Sequence, residues 1–140
     1  MRYLLDTNVV SELRKSPRGR QNHHVVEWAG KVAAHDMYIS AVTVEELEIG
    51  VLRLERRDPL QGAGLRDWMN NFVLPAFAGR ILAVDSAVAQ RSARLHVPDP
   101  RPIRDGFIAA TALVHGMTVV TRNLADFTLT GVAIFNPWLD

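Results

Sequence analysis

The fold is decided by the stretch Tyr3-Leu4-Leu5-Asp6-Thr7-Asn8-Val9-Val10-Ser11-Glu12-Leu13, which has a strand-like half and a helix-like half. Its first three residues form a short apolar run, and an aspartate ends that run. From Thr7 onward the apolar residues are spaced as on one face of a helix. Asp6 therefore stands where a strand ends and a helix begins, and three later acids have similar positions, namely Glu46, Asp105 and Asp126.

Strand-like and helix-like segments alternate along the rest of the chain. The expected strands are residues 2–5, 37–40, 80–84, 118–120 and 132–135. The expected helices are residues 7–15, 24–35, 43–57, 65–77, 86–95 and 103–115, with Asp58-Pro59, Gly62 and Gly64 separating the third from the fourth. Such alternation favours a parallel sheet covered by helices on both faces. We predict an α/β fold of three layers, α/β/α, with a mostly parallel four- to five-stranded sheet, formed by residues 1–140 as a single domain.

Composition excludes several classes of protein. The chain has 140 residues, of which 48% are hydrophobic and 22% charged, as in ordinary globular domains. It has no cysteine, which excludes disulfides, thiolate zinc sites and cysteine nucleophiles and leaves oxygen ligands as the natural metal chemistry. No apolar stretch approaches the ~20 residues needed to span a bilayer. We expect a soluble, cytoplasmic protein that is not associated with a membrane.

Positive charge is carried mainly by arginine, although the net charge is only +1. Arginine's planar guanidinium is suited to phosphate. The basic residues form three local groups: Arg14, Lys15, Arg18 and Arg20, then Arg53, Arg56 and Arg57, then Arg101 and Arg104. The second group would also complement the dipole at the end of a helix, so phosphate contact and a purely structural role both stay open.

Each of the four acids has a possible structural explanation. Asp6 suits a helix N-cap, and Thr43 with Glu46 matches the capping-box pattern. Asp105 falls in the first turn of its predicted helix, where the dipole favours negative charge. Asp126 could cap a turn. These roles explain each acid separately, but they do not require the four acids to lie together.

The predicted fold, however, places all four acids at one edge of the sheet, because parallel strands point their carboxyl ends the same way. Converging carboxylates repel one another unless a cation lies between them. Mg²⁺ and Mn²⁺ suit all-oxygen coordination, and Mg²⁺ leaves positions for substrate phosphates. We therefore predict a magnesium or manganese site formed by Asp6, Glu46, Asp105 and Asp126.

Four segments carry a family resemblance: Leu4 to Leu13 as quoted above, Ile39-Ser40-Ala41-Val42-Thr43-Val44-Glu45-Glu46-Leu47-Glu48-Ile49-Gly50, Asp105-Gly106-Phe107-Ile108-Ala109-Ala110-Thr111-Ala112, and Val120-Thr121-Arg122-Asn123-Leu124-Ala125-Asp126-Phe127. Together they resemble PIN-domain proteins of the VapC type, with an opening similar to the FitB-like branch. The resemblance implies a PIN-like fold and a metal-dependent endoribonuclease that acts as the toxin of a type II toxin–antitoxin module. It also implies an RNA substrate, a cognate antitoxin protein as partner, and a homodimer.

The resemblance also assigns roles to residues. Asp6, Glu46 and Asp105 match the first three acids of the family motif. The fourth position stays open, because many relatives have an acid where this chain has Asn123, whereas others use the aspartate before phenylalanine, here Asp126. We expect Asp126 to complete the catalytic and metal-binding set. The expected supporting residues are Thr7, Asn8, Ser11, Thr121 and Asn123.

The mechanistic hypothesis is hydrolysis of an RNA phosphodiester by water that the divalent ion activates. None of the five histidines has a recognisable ligand spacing, so we expect none of them to be catalytic. One alternative is a PIN-fold binding module that does not catalyse a reaction. Another is an Mg²⁺-dependent aspartate-nucleophile phosphotransferase, although its second acid would be expected where this chain has Asn8.

A binding site for the antitoxin is expected in an apolar groove between the third and fourth predicted helices. Large aromatic side chains are candidates for such a groove, although aromatic residues more often belong to a core. The candidates are Trp28, Trp68, Phe72 and Trp138.

Overall fold

The structure is a computed structural model, and it describes residues 1–14 and 22–139 of the chain. Within these residues it contains five strands: β1 Tyr3–Leu5, β2 Met37–Ser40, β3 Ile81–Leu82, β4 Thr118–Val120 and β5 Ile134–Phe135. They form one sheet in the order β3-β2-β1-β4-β5, and every neighbouring pair is parallel. The predicted α/β class is confirmed, and the sheet has the larger of the two expected strand numbers.

Seven α-helices occur in the described residues: α1 Thr7–Arg14, α2 His23–Lys31, α3 Ala41–Arg57, α4 Pro59–Trp68, α5 Leu74–Ala76, α6 Ser86–Leu95 and α7 Ile103–His115. A π-helical segment, Met69–Val73, joins α4 to α5. Short 3₁₀ turns include Ala34–Asp36 and Leu124–Asp126. Three members of the first predicted basic group, Lys15, Arg18 and Arg20, lie outside the described residues. No helix in the described ranges has both the length and the apolar character required to cross a membrane.

The sheet separates two apolar cores. Leu5 and Val120 point to one face, where they pack with side chains of α1, α2, α3 and the π-helical segment. Leu4 and Val119 point to the other face, where they pack against α7. All four side chains have no exposed surface, as expected for parallel strands that are covered on both faces. The predicted three-layer arrangement follows from this division.

The predicted break between the third and fourth helices is confirmed at Asp58, since α3 ends at Arg57 and α4 begins at Pro59, but it is shorter than expected. Helix α4 continues through Gly62 and Gly64, which were expected to belong to the break. Asp58 caps the helix by accepting a hydrogen bond from the Gln61 N–H at 3.2 Å. Gly62 is required for packing, since a Cβ atom at this position would lie 2.4 Å from the Glu55 Cα. The glycine thus allows α4 to pack closely on α3.

The start of α3 also differs from the prediction. The helix begins at Ala41, and its cap is Ser40, whose Oγ accepts a hydrogen bond from the Val42 N–H at 3.0 Å. Thr43 and Glu46 therefore do not form a capping box, and the capping interpretation of Glu46 is wrong. Other predicted elements are shorter than expected, since α2 ends at Lys31 and β3 and β5 contain only two residues each.

The sheet order determines where the acidic residues lie. β1 is the central strand, with β2 on one side and β4 on the other. The chain runs from β1 through α1 and α2 to β2, whereas β4 joins the opposite side of β1 much later in the sequence. This reversal of strand order opens a crevice at the carboxyl ends of the central strands, which is the usual ligand site of open α/β sheets.

Candidate active site

Asp6 is the buried centre of the candidate site. It follows β1 directly, its backbone N–H donates to the Val120 carbonyl at 2.9 Å, and the residue is only 6% exposed. Its Oδ1 accepts a hydrogen bond from the Thr7 N–H at 2.8 Å, and its Oδ2 accepts one from the Thr121 hydroxyl at 2.8 Å. Burial nevertheless raises the pKa of Asp6, and the nearby carboxylates of Glu46 and Asp126 add to the rise.

Thr7 connects Asp6 to Glu46. Its backbone N–H serves Asp6, while its hydroxyl donates to Glu46 Oε1 at 2.6 Å. Glu46 lies in the second turn of α3, beyond the free N–H groups of the first turn. Its carboxylate is thus held by a side chain from α1, which couples the ends of β1 and β2.

Asp105 contributes the third carboxylate from the first turn of α7. Partial burial, and after it the charges of Asp126, Asp6 and Glu46 in that order of size, together raise the pKa of Asp105 to about 6. No positively charged side chain is among the causes of this shift. Asp126 is the exposed member of the set and ends the 3₁₀ turn that follows β4.

The structure therefore brings the four predicted acids within electrostatic reach of one another. The convergence is not a closed ligand set, because within residues 1–14 and 22–139 no three Asp, Glu or His side chains form a group ready to hold a metal ion. The donor chemistry is all oxygen. Burial raises the pKa values of Asp6 and Asp105, neighbouring carboxylates add to the rise, and no positively charged side chain is among the causes. A divalent cation fits such a set of donors by charge and by ligand type.

Two of the predicted supporting residues, Asn8 and Thr121, contact Asp6 through their side chains. Asn8 donates to Asp6 Oδ2 at 3.4 Å and accepts from the Arg122 N–H at 3.3 Å, so it links α1 to the end of β4. Thr121 is fully buried, and besides donating to Asp6 it accepts from the Asn123 N–H at 3.0 Å.

The roles expected for two other polar residues have less structural basis. The Asn123 side chain is exposed, and its hydrogen bonds in the described structure are made by its main chain. Its contribution is therefore to shape the turn that leads to Asp126. Ser11 is exposed on α1 and makes no side-chain hydrogen bond to any described residue. The electrostatic coupling of the site thus involves Asp126, not Asn123.

Thr43 is a buried threonine whose environment the sequence did not reveal. It has no exposed surface, and among the described residues its hydroxyl oxygen is the one buried side-chain polar atom without a hydrogen-bond partner. Thr43 lies three residues before Glu46 on α3, which places the two on neighbouring positions of one helix face. An unmade hydrogen bond of this kind costs about 1–3 kcal/mol.

An open cleft adjoins the acids. It has a volume of about 600 Å³ and is lined by the first two turns of α3 and by the start of α7, including Glu46 and Asp105. Two further charged residues line it, Glu45 and Arg104, whose side chains form an ion pair at 3.2 Å. Sequence reasoning noted Arg104 only as part of a basic group and missed its partner, because 59 residues separate the two.

An apolar groove lies between α1 and the segment from Trp68 to Phe77. One wall belongs to the predicted fourth helix, residues 65–77, as expected, but the other wall is α1 and not the third helix. Its lining includes Leu13 and Phe72, and the Phe72 side chain is 62% exposed. The other two aromatic candidates, Trp28 and Trp138, pack against the core that contains Leu5.

Four acids converge at the carboxyl ends of the central strands of a parallel sheet. The chain therefore belongs to the class of α/β proteins that have a carboxylate-rich site at the edge of the sheet. Comparison with known proteins identifies the family. Residues 3–128 match the family model described as PIN domain, and the chain therefore belongs to the PIN-domain family. The resemblance inferred from the sequence is confirmed.

Individual relatives are similar over nearly the whole chain. The toxin FitB of Neisseria gonorrhoeae is 42% identical, with 98% of this chain and 99% of FitB aligned. A VapC ribonuclease of Sinorhizobium fredii is 36% identical, with 96% of each chain aligned. The crystal structure of FitAcB from N. gonorrhoeae has a TM-score of 0.87 at 40% identity and covers 97% of this chain and 98% of that one.

Proposed function

We propose that this chain is a Mg²⁺- or Mn²⁺-dependent endoribonuclease that acts as the toxin of a two-component toxin–antitoxin module, as a homodimer in the cytoplasm. The observation that carries the proposal is the meeting of Asp6, Glu46, Asp105 and Asp126 at one edge of the sheet, with raised pKa values at two of them. The names of its relatives, a FitB toxin and a VapC ribonuclease, support the same function.

The residues proposed to hold the ion are Asp6, Glu46 and Asp105, with Asp126 completing the set. Their fit rests on donor chemistry and charge, since every donor is a carboxylate oxygen and the cluster has no cation of its own. A bound divalent ion would neutralise charge on the phosphodiester and make water a better nucleophile near neutral pH.

The protein's own groups prepare this site. The Thr7 N–H and the Thr121 hydroxyl donate to the two oxygens of Asp6 and hold its carboxylate in one orientation. The Thr7 hydroxyl fixes Glu46 in the same way. We assign Asp126, the exposed acid of the four, to orient the attacking water through its carboxylate. The resemblance to the PIN-domain family implies products with a 5′-phosphate and a 3′-hydroxyl.

The proposal is tested by incubating total RNA with the purified protein, with and without Mg²⁺, and mapping the new ends by sequencing. We expect cleavage that a chelator abolishes and that Asp6→Asn lowers by at least about a hundredfold, because one neutral oxygen replaces a ligand charge. Cleavage that is equal in the wild type and in Asp6→Asn would contradict the assignment.

A PIN-fold module without catalysis is a second candidate. The observation that favours it is that no three acids in the described part of the chain already form a closed metal-binding group. Such a module would bind its partner and show no Mg²⁺-dependent cleavage of any RNA in the same assay, which separates the two functions.

The antitoxin is proposed to cover the apolar groove between α1 and the segment from Trp68 to Phe77. An amphipathic helix places residues of one face at helical spacing, and these can fill a groove of about 190 Å³ that is lined by apolar side chains such as Leu13 and Phe72. A short open reading frame next to this one should encode the partner. Co-expression should yield a stable complex in which RNA cleavage is suppressed.

A further inference from the structure

The rim of the 600 Å³ cleft carries an ion pair that the proposed catalytic chemistry does not use. Arg104 Nε donates to Glu45 Oε1 at 3.2 Å, which connects the first turn of α7 to the first half of α3. Arg104 directly precedes Asp105, and Glu45 directly precedes Glu46. The ion pair therefore lies beside the acid cluster, and both of its side chains are exposed to solvent.

This ion pair is readily broken. The Arg104 side chain is 51% exposed and that of Glu45 is 61% exposed, and exposed pairs contribute only about 0–1 kcal/mol to stability. A single nitrogen of Arg104 is used, and its two terminal amino groups bond to no other group in the described structure. A stronger acceptor could therefore take the guanidinium from Glu45 at little energetic cost.

Other arginines differ in this respect. Arg66 donates to both oxygens of Glu48 and also to Glu55, which ties α4 to α3. Arg101 donates to two main-chain carbonyls and stabilises the connection between α6 and α7. These two guanidinium groups are bound within the fold, whereas Arg104 lines the cleft with donors to spare.

Arg104 lines the same cleft as two acids of the cluster, Glu46 and Asp105, but its observed partner is Glu45. The cleft therefore has a negative inner end and, at its rim, a positive group with an exchangeable counter-ion. A polyanion that places one phosphate at the cluster needs positive charge for the next phosphate along the chain, and a guanidinium can bind phosphate through two parallel hydrogen bonds.

We propose that Arg104 binds the RNA backbone phosphate adjacent to the one that is cleaved, and that Glu45 is an internal counter-ion displaced by that phosphate. This assignment rests on the proposed ribonuclease function. It makes Arg104 a substrate-binding residue and makes Glu45 a competitor of the substrate, so the two substitutions should act in opposite directions.

The test measures fluorescence anisotropy of a labelled single-stranded oligoribonucleotide in the presence of a chelator, so that no cleavage occurs. Arg104→Gln should weaken binding about tenfold at constant salt and reduce the slope of log K against log salt by about 0.7. Glu45→Gln should tighten binding about threefold in the wild-type background, because it frees the guanidinium. In the Arg104→Gln background the same change should have little effect.

A matched control removes one positive charge elsewhere. Arg57 is exposed at the other end of α3, roughly 18 Å along the helix axis from Glu45, and Arg57→Gln should change affinity less than twofold. If Arg57→Gln weakens binding as much as Arg104→Gln, or if the Glu45 and Arg104 effects are additive, the proposal is overturned.

The binding role of Arg104 and the proposed ribonuclease function can be refuted independently of each other. If the wild-type protein cleaves RNA with Mg²⁺ while Arg104→Gln binds RNA as the wild type does, the role of Arg104 is refuted and the ribonuclease function stands. If the anisotropy results are as expected but no divalent ion produces cleavage, the catalytic function is refuted and Arg104 stands as a phosphate-binding residue. If the wild type binds no RNA in the chelator, the role of Arg104 is refuted, and the ribonuclease function is refuted with it only if no divalent ion produces cleavage.

Discussion

Neutralising Asp105 should stabilise the metal-free protein while it abolishes the proposed activity. The folded state raises the pKa of Asp105 from its usual 3.8 to about 6 through burial and the repulsion of Asp126, Asp6 and Glu46. At pH 7 this difference corresponds to about 3 kcal/mol of unfavourable free energy. Asp105 is partly exposed, and solvent screens such repulsion. We therefore expect Asp105→Asn to gain about half of this free energy, or about 1.5 kcal/mol, in stability.

The pH dependence has a defined sign. Between pH 4 and pH 6 the folded state binds more protons at Asp105 than the unfolded state does, so the stability of the metal-free wild type should fall as the pH rises through this window. Below about pH 4 both states are protonated and this destabilisation is absent. In Asp105→Asn this part of the pH dependence should disappear.

The assay is thermal unfolding in the presence of a chelator, followed by circular dichroism from pH 4 to pH 8. At pH 7 Asp105→Asn should melt about 5 °C above the wild type. The matched control is Asp99→Asn, the same chemical change at an exposed aspartate of the loop before α7, and it should shift the melting temperature by less than about 1 °C. A variant that melts at or below the wild-type temperature would refute the inference that the carboxylates repel one another.

Two further pairs of substitutions test other parts of the account by chemical denaturation. Thr121→Val removes a hydroxyl that donates to the Asp6 carboxylate and should lower the free energy of unfolding by about 1–3 kcal/mol. Thr43→Val removes an unpaired hydroxyl and should be neutral or stabilise by about 1 kcal/mol. Equal losses in the two variants would contradict the assigned hydrogen bonds. Gly62→Ala should destabilise by about 2 kcal/mol or more, because the new Cβ would lie 2.4 Å from the Glu55 Cα. Gly64→Ala, with open space around the added Cβ, should instead stabilise by about 0.5–1 kcal/mol; the reverse order would show that α4 does not pack as described.

The acid cluster could be predicted from the sequence because its cause is topological. Asp6 ends a recognisable strand, Asp105 begins a recognisable helix, and parallel strands bring such transitions to one edge. The choice between Asn123 and Asp126 could not be made from spacing. Asp126 stays the prediction, supported by the effect of its charge on Asp6 and Asp105, although the side chains of Asn123 and Asp126 are both exposed.

Features that depend on packing could not be predicted. Gly62 has the local character of a helix breaker, but the close approach of Glu55 determines its role. Thr43 fits a capping pattern that the structure assigns instead to Ser40, three residues earlier. In both cases a local rule was applied where contacts between distant elements determine the outcome.

The contact between Glu45 and Arg104 could not be predicted from the sequence, and neither could the groove beside α1, because each joins distant parts of the chain. The ion pair joins residues 59 positions apart, and the groove is formed by α1 with a segment that begins at Trp68. No periodicity within either segment indicates its neighbour. Such surfaces become visible only when the helices have been placed on the sheet.

We propose that the four carboxylates share one divalent cation. It is tested most directly by titrating the metal-free protein with Mn²⁺ and measuring the bound ion by electron paramagnetic resonance, for the wild type and for alanine variants at Asp6, Glu46, Asp105 and Asp126. We expect specific binding by the wild type, which each of the first three variants should weaken at least about tenfold and Asp126→Ala to a smaller extent. Binding that is unchanged in the Asp6 and Asp105 variants, or absent in the wild type, would contradict it.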